Sequence, residues 1–247
     1  MMKDIRPLIP VNPKGFDELA ESLLESQTPP NPEALNFGVN INKAEYVIVP
    51  QYKTAIGINE SYKNLDFQGA HFALADNGLF MPTIPIFMQH YLNVKSALDG
   101  TRTLQYANNT TVAENDLKKI WDKINKNIWT WLDAEFAEQN GKLCLQDHIV
   151  IKDAQGNKTL KPNSIQPLED YVRENCYADL IFNRQFLPTQ KSGKQEYEQG
   201  KTIYFWQPVE DRVARFYGIS DRAVLDCYWD PSFSDSVLGV VPCVRGI

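Results

Sequence analysis

The sequence predicts an α+β fold with a loop-rich C-terminal half. Three observations carry that prediction. Apolar residues recur at spacings of three and four through the middle of the chain, and strand-like runs flank those helical stretches. From Arg215 onward, aromatic, acidic and small residues intermingle with neither a helical nor a strand period. The resulting order is a strand, two main helices, a helix followed by a hairpin, then short antiparallel strands and long loops.

Residues 1–45 read as an N-terminal extension. Pro7, Pro10 and Pro13 open it, and a short helix from Phe16 to Glu25 sets Phe16, Leu19, Ala20, Leu23 and Leu24 on one side. The proline-rich connector Thr28 to Pro32 ends that helix. The run Glu45 to Tyr52 is short, β-branched and stopped by Pro50, as expected of an edge strand. Leu65, Phe67, Ala70, His71 and Leu74 lie within helical reach of one another, and Gly78 is the expected stop. A second helix follows at once: Thr83 is a suitable N-cap, Pro85 fits the first turn, and Ile86, Phe87, His90, Tyr91, Val94 and Leu98 share a face.

The strongest periodicity is Leu117, Ile120, Trp121, Ile124, Ile128, Trp131, Leu132 and Phe136. Glu114 and Asp116 precede it and Asn140-Gly141 closes it, so one amphipathic helix is expected across the whole run. Beyond it, the stretch 142–162 alternates and turns at Asp153 to Asn157, which predicts a β-hairpin. Residues 114–162 are thus expected to form a helix-plus-hairpin insertion. A polar helix or loop is expected over Gln166 to Glu174, a polar loop over 191–201, and a strand over 202–209 broken by Pro208. No internal repeat is present, and 1–247 is expected to form a single domain.

A hydrophobic content of 43% with 23% charged residues is that of a soluble globular chain. The formal net charge of −6 gives no basic face for a phosphate backbone, which excludes nucleic acid as the expected partner. No stretch has the apolar length of a secretory signal or a membrane span, so a cytoplasmic location is expected by default. Cys144, Cys176, Cys227 and Cys243 contain no CxxC pair and read as buried small residues; the one bridge left open is Cys227 with Cys243.

Site chemistry is sparse. His71, His90 and His148 share no ligand spacing, and His71 and His90 lie on apolar helix faces as core-edge histidines donating to carbonyls. Nucleophile-elbow, phosphate-loop and dinucleotide motifs do not occur. Glu210 and Asp211 before Arg212 read as a solvated turn. Asp221, Asp226, Asp230 and Asp235 lack the spacing of a calcium loop and read as a solvated acidic surface. The expectation is no enzyme, no cofactor and no metal.

The run Arg215 to Val240 has the composition of a paratope instead: Tyr217, Tyr228, Trp229 and Phe233 beside Ser and Asp, with no face that could bury it. Together with FALADNGLFMPTIPIFMQHYL, LPTQKSG, FWQPVEDRVARF and the terminal SFSDSVLGVVPCVR, this run resembles the variable proteins of diversity-generating retroelements, particularly their archaeal branch. The resemblance covers Asn64 to the C-terminus and is most specific at its end. It implies a C-type lectin fold of the formylglycine-generating-enzyme subtype, with 215–247 as a variable C-terminal region rewritten through adenine-directed mutagenesis.

On that resemblance the variable, ligand-contacting set is Tyr217, Ile219, Asp221, Val224, Asp226, Tyr228, Asp230, Phe233, Asp235 and Val237. All are reachable from AAC codons by adenine replacement. Trp229 is not, and Val241 stands where the family pattern has Arg. Trp206, Arg215, Leu225, Leu238 and Val240 form the expected frame. Formylglycine-generating enzymes carry a closely spaced cysteine pair that Cys227 and Cys243 do not form in sequence. Sugar-binding lectins carry calcium triplets from which Gln207-Pro208-Val209 and Trp229-Asp230-Pro231 depart. What is implied is a monomer that binds an unidentified ligand, a protein or a cell-surface molecule. The alternatives are an oxidase on the same fold and an adhesin with a constant site.

Overall fold

The computed structural model describes residues 38–246; the expected helix Phe16–Glu25 and the connector Thr28–Pro32 lie outside them. The described chain begins with strands β1 (Tyr46–Val49) and β2 (Thr54–Gly57), then helices α1 (Phe67–Asp76), α2 (Ile84–Leu98) and α3 (Glu114–Lys126). Strands β3 (Ile128–Gln139), β4 (Lys142–Lys152), β5 (Lys158–Pro167), β6 (Cys176–Asp179) and β7 (Thr202–Trp206) come next. The hairpin β8 (Arg212–Ile219) and β9 (Arg222–Trp229) and the short β10 (Cys243–Arg245) complete it. The α+β class is as the sequence predicts, with three helices among the described residues and two sheets, a 3-stranded one ordered β1-β2-β10 and a 7-stranded one ordered β5-β4-β3-β8-β9-β7-β6.

The helix boundaries follow from local chemistry. Asp66 caps α1 by accepting from the Gly69 N–H at 2.6 Å, and Gly78 takes φ +68° just past its end, where a Cβ would be strained. Thr83 caps α2 by accepting from Ile86 N–H, with Pro85 in the first turn. Helix α3 carries Glu114 and Asp116 in its first turn and Lys123 and Lys126 in its last, the arrangement favoured by the helix dipole.

Two expectations fail here, for one reason. The helix expected from Leu117 to Phe136 ends at Lys126, and Ile128–Gln139 is strand β3, hydrogen-bonded to β4 on one side and β8 on the other. The run from Arg215 to Trp229, expected as exposed loop, forms most of the β8–β9 hairpin within the same sheet. Through their middles these central strands are buried on both faces. A strand buried on both faces shows no alternation, and spacings of three and four can then pick apolar residues from its two sides in turn. The hairpin of β4 and β5 turns at Asp153 to Asn157 as expected, whereas Gln166–Glu174 contains no helix.

Core packing divides along the large sheet. On one face, Phe87 and Tyr91 of α2 and Ile120 and Ile124 of α3 pack on Leu132, Ala214, Phe216 and Leu225. Phe87 and Phe216 meet with ring centroids 4.7 Å apart. A Cβ at Gly218 would lie 2.2 Å from the Ile124 carbonyl oxygen, so β8 and α3 touch backbone to backbone. On the other face, Phe67, Ala70 and Leu74 of α1 join Met81, Trp131, Val213, Leu238 and Val240. All four cysteines are free and buried, so Cys227 and Cys243 form no bridge. No helix among the described residues is long and apolar enough to cross a membrane.

Candidate functional site

Strand register gathers aromatic side chains in one row. Tyr177 on β6 is opposite Tyr204 on β7, Tyr204 opposite Val224 on β9, Val224 opposite Tyr217 on β8, and Tyr217 opposite Trp129 on β3. Cα partners in a sheet share a face, so these five residues form a transverse row on the side away from α2 and α3. The next row is Trp206, Asp226, Arg215 and Trp131. Rings interlock along it: Tyr177 meets Tyr204 at 4.9 Å, Trp129 stacks on Tyr217 at 4.6 Å, and Trp206 stacks with Tyr228 at 6.4 Å.

Arg215 is the pivot. Its Nε donates to Asp226 Oδ2 at 3.1 Å, and its guanidinium carbon lies 3.2 Å from the Trp229 ring centroid, 4.8 Å from that of Tyr217 and 5.1 Å from that of Trp129. Burial raises Asp226 above the ordinary carboxylate range despite the opposing Arg215 charge, and burial lowers Arg215. Beside this pair, Trp129, Arg215, Trp229, Phe233, Asp235, Val237 and Leu238 enclose a pocket of about 250 Å³. Trp229 Nε1 is buried there with no hydrogen-bond partner.

The residues expected to contact ligand fall into three groups. Tyr217, Phe233, Asp235 and Val237 converge on the pocket and its Arg215 pivot, and Tyr228, 48% exposed, adjoins them with Arg212 5.5 Å from its ring. Asp230 borders the same edge, bonded to Ser232 and Arg212. Ile219 and Asp221 lie at the far end of the β8–β9 hairpin, where Asp221 pairs with Arg222. Val224 and Asp226 do not fit the expectation: both are buried, because β9 lies between β8 and β7 and their side chains sit beneath neighbouring aromatic rings and the Arg215 pair. Of the expected frame, Arg215, Leu225, Leu238 and Val240 are buried, whereas Trp206 is only half-buried. The four aspartates of the expected acidic surface do not act as one group, since each has its own partner.

Trp129, Tyr177, Tyr204 and Trp206 escape sequence reading as members of this face. Alternation in Thr202–Trp206, with Tyr204 and Trp206 opposite in sense to Ile203 and Phe205, was the available signal for two of them.

A second constellation lies on the other half of the sheet. His71 from α1, Asp133 from β3 and His148 from β4 bring ligand-capable atoms within 4.8 Å of one another. The ladder shifts register between Leu132 and Glu135 and again between Asp147 and His148, and these bulges aim Asp133 and His148 at each other. His148 Nδ1 is 2.8 Å from Asp133 Oδ1 and its Nε2 is 2.9 Å from Glu135 Oε2. Burial alone would depress His148, but the hydrogen bonds to Asp133 and Glu135 outweigh it and push its pKa up to about 9. His71 donates to no carbonyl through Nε2, contrary to expectation; that atom lies 3.4 Å from Asp133 Oδ1 without hydrogen-bond geometry. The three residues are separated by more than sixty and by fifteen positions, so no spacing reveals them.

Comparison with family models, with curated proteins and with solved structures finds no match to this chain.

Proposed function

We propose that this chain is a non-enzymatic ligand-binding protein on a C-type lectin-like scaffold, presenting the aromatic face of β3, β8, β9 and β7 together with segment 230–237 as a surface diversified by a retroelement. The observation that carries the reading is convergence: Phe233, Asp235 and Val237 line one pocket with Arg215, whose guanidinium also faces Tyr217; Tyr228 and Asp230 meet at Arg212; and the supporting residues Arg215, Leu225, Leu238 and Val240 are buried. Rigid aromatic side chains on a fixed frame offer large contact area at low entropic cost. Tandem helices α1 and α2 against a mainly antiparallel sheet are compatible with a lectin-like scaffold. Against an oxidase of the formylglycine-generating type, Cys227 and Cys243 sit on different sheets with both thiols pushed up by burial, the opposite of an activated nucleophile.

The test is sequence variation at the coding locus. A near-copy of the segment encoding 215–247, differing at template adenines beside a reverse-transcriptase gene, is expected. Substitutions among copies should fall on Tyr217, Tyr228, Asp230, Phe233, Asp235 and Val237 and spare Val224 and Asp226. A constant locus, or variation as free at buried Val224 as at Tyr228, overturns the proposal.

A further inference from the structure

We infer that His71, Asp133 and His148 form a binding site for one divalent transition-metal ion of the zinc class, with a coordination position open to the adjoining cleft. Two imidazoles and a carboxylate from three separate elements are the ligand set of open, three-residue zinc sites. Ligand atoms held about 2.0–2.1 Å from a shared tetrahedral ion lie about 3.4 Å apart. The His71 Nε2 to Asp133 Oδ1 separation is already 3.4 Å, His148 Nδ1 at 2.8 Å from Asp133 withdraws once an ion replaces the hydrogen between them, and the three ligand atoms, which lie within 4.8 Å of one another, draw together on the ion.

An independent observation points to a ligand. His71 is 5% exposed, and its Nε2 has no hydrogen-bond partner. Buried polar nitrogens are ordinarily satisfied, and this one faces the carboxylate at a distance suited to sharing an ion rather than a hydrogen. An ion pair of His148 with its carboxylates accounts for Asp133 and Glu135 but leaves His71 Nε2 at 3.4 Å from Asp133 without a hydrogen bond.

The surroundings are those of a supported metal ligand. With Nδ1 assigned to the ion, the other nitrogen of His148 is held 2.9 Å from Glu135 Oε2, and Gln146 Nε2 donates to that same oxygen at 2.7 Å. Asp133 Oδ2 accepts the His148 backbone N–H at 3.0 Å. A carboxylate behind a ligating histidine fixes its tautomer and ring orientation. Phe67 supplies an apolar wall, its ring centroid 4.8 Å from that of His71 and 5.6 Å from that of His148. In front lies a cleft of about 650 Å³, which Thr83, Asn163 and Arg245 also line, leaving room for water or an anionic donor on the ion.

The inference does not rest on the proposed function. The test uses the full chain, stripped with chelator and titrated with Zn²⁺, Co²⁺, Ca²⁺ and Mg²⁺ while heat capacity, melting temperature and visible absorption are followed. One equivalent of Zn²⁺ or Co²⁺ is expected to bind and raise the melting temperature. Co²⁺ should show the d–d bands of a four- or five-coordinate nitrogen–oxygen site without a thiolate charge-transfer band. His71→Leu should weaken Zn²⁺ binding at least 100-fold, read against its own metal-free melting temperature. Glu135→Gln should weaken it roughly 10- to 100-fold. If His71→Leu does not fold, His71→Gln carries the same readout. The inference is overturned by absence of one-equivalent uptake, by unchanged Zn²⁺ affinity in the His71 variant, by a cobalt–thiolate band, or by equal response to Ca²⁺ and Mg²⁺.

Discussion

Arg215 and Asp226 face each other across β8 and β9 as a buried ion pair, Nε to Oδ2 3.1 Å, with each side chain 5% exposed. Both groups are shifted toward their neutral forms by burial, so desolvation opposes the attraction between them. Breaking such a pair leaves an uncompensated buried charge, whereas replacing both members with apolar side chains removes the cost along with the gain. Asp226→Val is therefore expected to lower unfolding free energy by about 3–5 kcal/mol, and the double variant Arg215→Met, Asp226→Val to cost less than either Arg215→Met or Asp226→Val alone. Urea denaturation of the four proteins in the cycle measures this. A double variant as unstable as the two single losses added would mean that Arg215 and Asp226 are not coupled, and would contradict the buried pair.

Tyr228 and Leu238 separate surface from frame. Tyr228 is 48% exposed and leans on Trp206 and Arg212, whereas Leu238 is fully buried among Trp131, Val213 and Val240. Tyr228→Ala should change stability by about 0.5–1 kcal/mol and Leu238→Ala by about 2–5 kcal/mol. Equal losses in chemical denaturation would make Tyr228 a core residue and remove it from the proposed ligand surface.

How much of this was legible depended on how many faces an element buries. Helices α1 and α2 announce themselves because buried residues recur at helical spacing behind a capping residue: Phe67, His71 and Leu74 in the first, Ile86, Phe87 and Tyr91 in the second. The central strands do not, since Ala223 to Cys227 are buried without interruption. That run can equally be written as a loop when its acidic residue, Asp226, is assumed to need water; its partner Arg215 lies eleven positions earlier and is found only once β8 and β9 pair. The His71, Asp133 and His148 cluster was hidden for a different reason. Asp133 was placed in a helix it does not occupy, and the two bulges that aim the side chains leave no mark in composition.

Gly218 is where α3 comes closest to the sheet. A methyl group there would meet the Ile124 carbonyl oxygen at 2.2 Å and the Asn125 carbonyl carbon at 2.7 Å, both main-chain atoms that no side-chain rotation can clear. Gly218→Ala must push α3 off β8 and is expected to cost about 3 kcal/mol, with α3 amides losing protection first in hydrogen exchange. Gly156, in the β4–β5 turn with open space around it, provides the contrast, because there only its φ of +86° resists a side chain. A Gly218→Ala protein as stable as the wild type would contradict the contact.

His90 makes the fold acid-sensitive. It is fully buried in α2 with Nδ1 unpartnered, and burial depresses its pKa from 6.5 to about 4. A depressed value means the unfolded chain takes up a proton as pH falls through 6.5 while the folded chain refuses it until about 4, so stability present above the first value is lost toward the second. At 1.36 kcal/mol for each pH unit of difference, the loss is on the order of 3 kcal/mol. Replacing the ring with an apolar side chain, His90→Leu, removes the proton uptake and should flatten the stability profile between these pH values, even if the variant is less stable at neutral pH through imperfect packing. Urea midpoints at closely spaced pH steps supply the comparison; a wild-type slope that persists unchanged in His90→Leu would assign the acid sensitivity to another group.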